Sequence, residues 1–247
     1  MLLLSLWLAT PCGGQTQAGS QEQLPVVLYG IGPDPREPVK IDEPPWRGVG
    51  KLVATAGRLQ TACTAALIGP ATALTAGHCL YNRETKTYFA SGSVHFLLGY
   101  QNNTYVGRSA VASFKIAPGF DPEDNARTRG SDWAVLTLDQ RLGTPDRILT
   151  MRDHPLEVGT AVVVGGYSQD YQNILTAASH CHILSRTTDG TGRSLLVHDC
   201  TAKRGTSGAP VLVRDGTRWS IGGVQIASGR QDTRGLAAIP SDPASER

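Results

Sequence analysis

The chain has 247 residues, 40% hydrophobic and 18% charged, enough for one substantial domain or two small barrels sharing an interface. A net charge of +2 gives no electrostatic ground for binding nucleic acid or a strongly acidic partner. With 28 glycines, 15 prolines and few long amphipathic runs, the composition favours an all-β chain rich in turns over a helical one.

The apolar run from Met1 to Ala9 is too short to cross a bilayer as a helix. It reads as the hydrophobic part of a signal peptide over residues 1–18, although no basic residue precedes it. Cleavage after Ala18 would remove Cys12. No later stretch approaches membrane length, so no stable membrane association is expected. Residues 19–40 carry Pro25, Pro33, Pro35 and Pro38 with little periodicity, the pattern of a pro-segment or linker, and Arg36 and Lys40 are conceivable processing points. From Val49 onward short strands recur between turns. They are expected at 50–55, 63–68, 71–74, 93–98, 110–116, 132–138, 161–165, 180–185, 194–198, 210–214 and 219–226. One helical turn is expected near Ala76–Leu80, and no internal repeat is visible.

Three local signatures follow one another along the chain. Thr75-Ala76-Gly77-His78-Cys79 comes first, then Ser131-Asp132-Trp133-Ala134-Val135-Leu136, then Gly205-Thr206-Ser207-Gly208-Ala209-Pro210. A serine hydroxyl is a weak nucleophile at neutral pH and needs an adjacent base. Histidine titrates near neutrality and can take that proton and later return it. A buried carboxylate fixes the imidazole tautomer and stabilises the imidazolium. Glycines beside the serine let the backbone turn tightly enough for two N–H groups to face a developing oxyanion. On this reading Ser207 is the nucleophile, His78 the base and Asp132 its orienting acid, with Asp121, Asp124 and Asp139 as competing acids nearby. The N–H groups of Gly205 and Ser207 would form the oxyanion hole.

In the order His–Asp–Ser and in these signatures the chain resembles the chymotrypsin/trypsin-like serine protease superfamily. Gly-Thr-Ser-Gly-Ala-Pro-Val is closest to the bacterial trypsin-like and glutamyl-endopeptidase branch. The resemblance implies two six-stranded antiparallel β-barrels with the active site in the cleft between them. The protease domain would span 41–240, with the barrel junction near 141–157. It implies an endopeptidase, monomeric, acting on protein or peptide substrates with neither cofactor nor metal, and the signal peptide makes it secreted or periplasmic. Cys63, Cys79, Cys181 and Cys200 alone leave three connectivities open; the resemblance selects Cys63–Cys79 beside His78 and Cys181–Cys200.

The same resemblance places the substrate pocket at Thr201, Ala202, Gln225, Ile226, Ala227 and Ser228, with the backbone of 226–228 pairing with an extended substrate. Trypsin has an aspartate where Thr201 stands, and glutamyl endopeptidases a histidine where Gln225 stands. A small or apolar residue before the scissile bond is therefore expected. In trypsin-like zymogens a new N-terminal ammonium pairs with the acid before the serine, but that position is Thr206, and no Ile-Val-Gly-Gly start appears.

Three further features have plainer readings. His180-Cys181-His182 alternates on a strand, leaving a disulfide cysteine between two polar positions rather than a zinc site. Lys203 and Arg204 are either a substrate-binding basic pair or a solvated loop. Asn102-Asn103-Thr104 is a glycosylation sequon in a plain loop. The runner-up function is a catalytically silent or latent homologue that binds proteins, and a hydrolase acting on esters is a third.

Overall fold

The computed structural model describes residues 34–229 and 234–241. The expected signal peptide and residues 19–33 lie outside them. The strands are β1 (Arg36–Pro38), β2 (Val49–Ala56), β3 (Leu59–Gly69), β4 (Thr72–Thr75), β5 (Tyr81–Asn82) and β6 (Thr87–Tyr88). Next come β7 (Val94–Leu98), β8 (Gly107–Ile116), β9 (Ala134–Leu138), β10 (Thr150–Met151) and β11 (Ala161–Gly166). The last are β12 (Thr176–Thr188), β13 (Ser194–His198), β14 (Pro210–Asp215), β15 (Arg218–Ser228) and β16 (Gly235–Ala238).

Two closed six-stranded barrels result, as expected. The first runs β2-β3-β4-β9-β8-β7. The second runs β12-β11-β14-β15-β16-β13 and closes through β12–β13 pairing. β1 adds to the outside of β12, and β10 pairs parallel to β15. Strand alternation explains the inside and the outside. In β7, Val94, Phe96 and Leu98 are buried in the first core, while His95 and Leu97 face outward. In β2, Leu52 and Ala54 point in and Lys51 and Val53 point out. Trp133, Leu67, Leu74 and Leu136 complete that core, and Val162, Val164, Ile183, Leu196 and Val211 fill the second.

Each strand expected from the sequence is present, with ends shifted by a few residues. Asp132 lies just before β9 rather than in it, at the end of a 3-10 turn over Arg129–Ser131. The helical turn expected near 76–80 is a 3-10 turn over Gly77–Leu80. β16 was not anticipated: Gly235, Leu236, Ala237 and Ala238 carry no β-branched or aromatic residue, and pairing with β13 and β15 supplies what propensity lacks. Residues 36–38, inside the segment read as pro-segment or linker, form β1 and pair with β12. The connection from β9 to β11, residues 139–160, carries β10.

Candidate active site

The β4–β9 register brings two of the three signatures together. Thr75 at the end of β4 lies opposite Ala134 at the start of β9. The residues just after one strand and just before the other are therefore neighbours, although 54 positions separate His78 from Asp132. The His78 backbone N–H donates to Asp132 Oδ1 at 2.8 Å, and its Nδ1 lies 2.7 Å from Oδ2. An ionised carboxylate only accepts, so this pairing places the ring proton on Nδ1 and leaves Nε2 as the acceptor. Asp132 is 1% exposed, while the His78 side chain is 20% exposed. A third bond, unforeseen from the sequence, comes from Asn125 Nδ2 to Asp132 Oδ2 at 3.0 Å. The turn carrying Asp132 is braced by the second barrel, where Asp189 Oδ2 accepts from the Gly130 N–H at 2.8 Å. Asp121, Asp124 and Asp139 bond elsewhere or stay on the surface.

Ser207 precedes β14 and faces the same cleft as His78. Among the described residues no hydrogen bond joins its hydroxyl to the imidazole. Its loop rests on the first barrel. The Thr64 N–H donates to Ser207 O at 2.8 Å, and Thr64 Oγ1 donates to Gly205 O at 3.1 Å. The same oxygen accepts the Tyr167 N–H at 3.0 Å. Two positions in this turn require glycine. Gly205 has φ +96 and Gly208 φ +83, and a Cβ would strike Tyr167 O at the first and Thr64 O at the second. The N–H groups of Thr206, Gly208 and Ala209 are taken by Lys203 O, Gln225 O and Thr206 O. Those of Gly205 and Ser207 have no acceptor among the described residues, the pattern a pair of anion donors needs.

The sulfurs of Cys63 and Cys79 lie 2.00 Å apart and those of Cys181 and Cys200 lie 1.93 Å apart, both at bonding distance. His180 and His182 are exposed on either side of buried Cys181. Among the described residues the one cluster compact enough for a metal is Cys63, His78 and Cys79. Its sulfurs are bonded to each other and His78 Nδ1 to Asp132, so it offers no thiolate.

Of the expected pocket residues, Thr201, Ala202 and Ala227 are partly open, Ser228 is exposed, and Gln225 and Ile226 are buried. Gln225 is fully engaged. Its Oε1 lies 2.6 Å from His198 Nε2, and its Nε2 donates to Ala227 O at 2.7 Å. The Cys200 N–H donates to His198 Nδ1 at 3.2 Å, so the ring proton sits on Nε2 and points at Gln225. β14 reaches only to Pro210, opposite Val224, whereas β16 covers Ala227 and Ser228 on the other side. One edge of 226–228 is thus without a strand partner among the described residues.

A groove of about 1100 Å³ opens from His78, Gly205 and Ser207 across the outward faces of β2 and β7. None of the expected pocket residues lines it. Its walls include Lys51, Arg83, Arg108 and Arg204, with Glu84 the one acid among the described lining residues. Lys51 stands 4.5 Å above the Tyr100 ring. Lys203, by contrast, turns away and pairs with Asp170. A smaller cavity of about 570 Å³, bordered by Ile68, Arg152 and Pro240, shares no residue with the groove.

Two barrels joined at a cleft holding a serine, a histidine and a buried aspartate define a chymotrypsin-like protein. Residues 36–242 match the model of the trypsin family, and the chain belongs to that family. A search of curated proteins finds no match. Among solved structures, a Glu endopeptidase in complex with MPD is 24% identical with TM-score 0.69, over 87% of this chain and 95% of the other. The protease Anisep from Arthrobacter nicotinovorans is 18% identical with TM-score 0.61, over 81% and 93%. A thermostable serine protease from an extremophilic microorganism is 18% identical with TM-score 0.60, over 78% and 91%. At these identities the likeness is one of fold.

Proposed function

We propose that the chain is an exported serine endopeptidase, active as a monomer on protein or peptide substrates. The observation that carries this reading is the double hydrogen bond from His78 to Asp132, in one cleft with a serine whose turn leaves two N–H groups unclaimed. Ser207 Oγ attacks the peptide carbonyl as His78 Nε2 takes its proton. The carbonyl oxygen gains charge between the Gly205 and Ser207 N–H groups. His78 then protonates the departing amine, leaving an acyl-enzyme on Ser207. Water, deprotonated by the same nitrogen, releases the acid and regenerates the hydroxyl. A hydroxyl–imidazole contact that is long without substrate and tightens in the complex is ordinary for such sites.

An extended substrate would pair with the free edge of 226–228. Its residue before the scissile bond would meet Thr201 and Ala202, and the committed Gln225 amide offers no charge, in keeping with a small or apolar preference. The groove over β2 and β7 would take the leaving-group side. The test is labelling with a fluorophosphonate, read by intact mass, with Ser207→Ala alongside. One adduct on the native chain and none on the variant is expected; a folded native chain that stays unlabelled overturns the reading in favour of a silent homologue. The N-terminal residue of the exported form, read from the same spectra, tests the cleavage after Ala18.

A further inference from the structure

Among the described residues, four charged side chains outside the cleft cluster together, with Arg36 of β1 at their centre. Its side chain is 2% exposed, although the strand is only three residues long. Nε donates to Asp34 Oδ1 at 2.9 Å and Nη2 to Asp34 Oδ2 at 2.5 Å. Nη2 also meets Asp170 Oδ2 at 2.5 Å, while Nη1 meets Asp170 Oδ1 at 3.1 Å and Ser168 Oγ at 2.8 Å. The guanidinium lies 5.2 Å from the Tyr171 ring centre. Lys203 Nζ joins from the loop before Ser207, 2.7 Å from Asp170 Oδ2 and 3.7 Å from Asp34 Oδ2. A buried cation is tolerated only when its donors are met, and removing a partner strands the remaining charges.

These contacts lead directly to the nucleophile's turn. Ser168 and Asp170 belong to the turn around Gln169–Tyr171. The Gln169 N–H donates to Arg204 O at 2.7 Å, and Gly205 leaves no room for a Cβ beside Tyr167 O. Lys203, held by Asp170, accepts the Thr206 N–H at its own carbonyl at 2.9 Å. The Lys203–Ser207 segment is therefore fixed from two sides. Thr64 of the first barrel holds one side, and the turn that Arg36 clamps holds the other.

We propose that Arg36, with Asp34, Asp170 and Lys203, is a built-in latch that holds the Gly205–Ser207 turn in place at the cleft, with its two N–H groups left unclaimed. Arg36 is a positioning residue and touches no substrate. This rests on the serine-peptidase reading and adds the device that sets its oxyanion site. The cation belongs to a side chain inside the fold, so the turn needs no freshly cut α-amino group. Arg36, conceivable from sequence as a processing point, is on this account a place where cutting would release the latch.

The test compares the full chain with Arg36→Met, Arg36→Lys and Asp170→Asn, each also made in a Ser207→Ala background. Hydrogen exchange is followed by mass spectrometry, and kcat and KM are measured on a peptide substrate well below the unfolding midpoint. In Arg36→Met, uptake is expected to rise over 200–209 and not over the first barrel, with kcat down about tenfold or more and KM changed less than about twofold. Arg36→Lys should recover part of both effects. Unchanged uptake over 200–209 with unchanged kcat overturns the latch, as does uptake that rises evenly across the chain. If Arg36→Met fails to fold, the other two variants decide by the same readings. A native chain that hydrolyses nothing and takes no fluorophosphonate sinks the peptidase reading, and exchange in the Ser207→Ala background still judges the latch.

Discussion

Thr64 Oγ1 donates to Gly205 O while accepting the N–H of Tyr167, so one buried hydroxyl of the first barrel ties together two segments of the second. Thr64→Val keeps the shape and removes both bonds, leaving a buried N–H and C=O short of partners. The expected cost is about 1–3 kcal/mol of stability, with a fall in kcat because the Gly205 N–H loses its bearing. Chemical denaturation and steady-state kinetics on one preparation check both; a variant with native kcat would show that the loop is held without Thr64.

Asn125 should matter less than Asp132, and in a graded way. Asp132→Asn is expected to lower kcat by about 10⁴, since the amide can present its NH₂ to Nδ1 and reverse the tautomer. Asn125→Ala removes one of three bonds to the carboxylate and should lower kcat by about tenfold. Equal losses in the two variants would contradict the geometry.

Acid stability should fall in two stages. Burial holds the His198 imidazole below its ordinary value, partly offset by Gln225. Its folded pKa is thus the lower one, and the unfolded chain takes up the extra proton. The site's contribution is complete above about pH 6.5 and is lost as the pH falls below that. Asp170 behaves differently. Burial would raise its pKa, but Arg36, Lys203 and Ser168 bond the carboxylate and hold it far below the usual range. Its contribution persists above the unfolded value of 3.8 and disappears only in stronger acid. Unfolding midpoints measured from pH 8 to pH 2 should show His198→Gln losing the first stage and Asp170→Asn the second.

The groove makes a prediction about salt and charge. Arg83, Arg108 and Arg204 are exposed there. Peptides with Asp or Glu after the scissile bond should be cut about threefold faster than those with Lys. Added salt should shrink that gap and Arg204→Glu should shrink it further. Equal rates for both peptide sets at low salt would remove the groove from the substrate path.

Most strands were legible because apolar alternation and turn residues agree along them; their closure into two barrels came from the resemblance that the three signatures carry. The sequence also brought forward His78, Asp132 and Ser207 as the candidate site, each in its own short motif, and the fold sets the first two in contact and the third in the same cleft. What stayed hidden is contact across long separations. Nothing near Thr64, Asn125 or Asp189 in the sequence marks them as partners of Gly205, Asp132 and Gly130. Arg36 likewise read as a point of cleavage in a proline-rich stretch, because its burial depends on Ser168, Asp170 and Lys203, which only the folded sheet brings to it. Gln225 was placed in the pocket by resemblance, and its pairing with His198 comes from β13 meeting β16 beside β15.

The two disulfides close loops of 16 and 19 residues, each within a single barrel. Among the described residues no sulfur bridge crosses the cleft, and the halves that supply His78 and Ser207 are joined covalently only through the main chain of 139–160. Their mutual orientation rests on hydrogen bonds such as those of Thr64 and Asp189, on the pairing of β1 with β12, on the Arg36–Asp170 ion pair and on apolar packing. A single nick in that connection would leave two stapled pieces able to part and re-dock, and reducing agent would soften each piece without separating them.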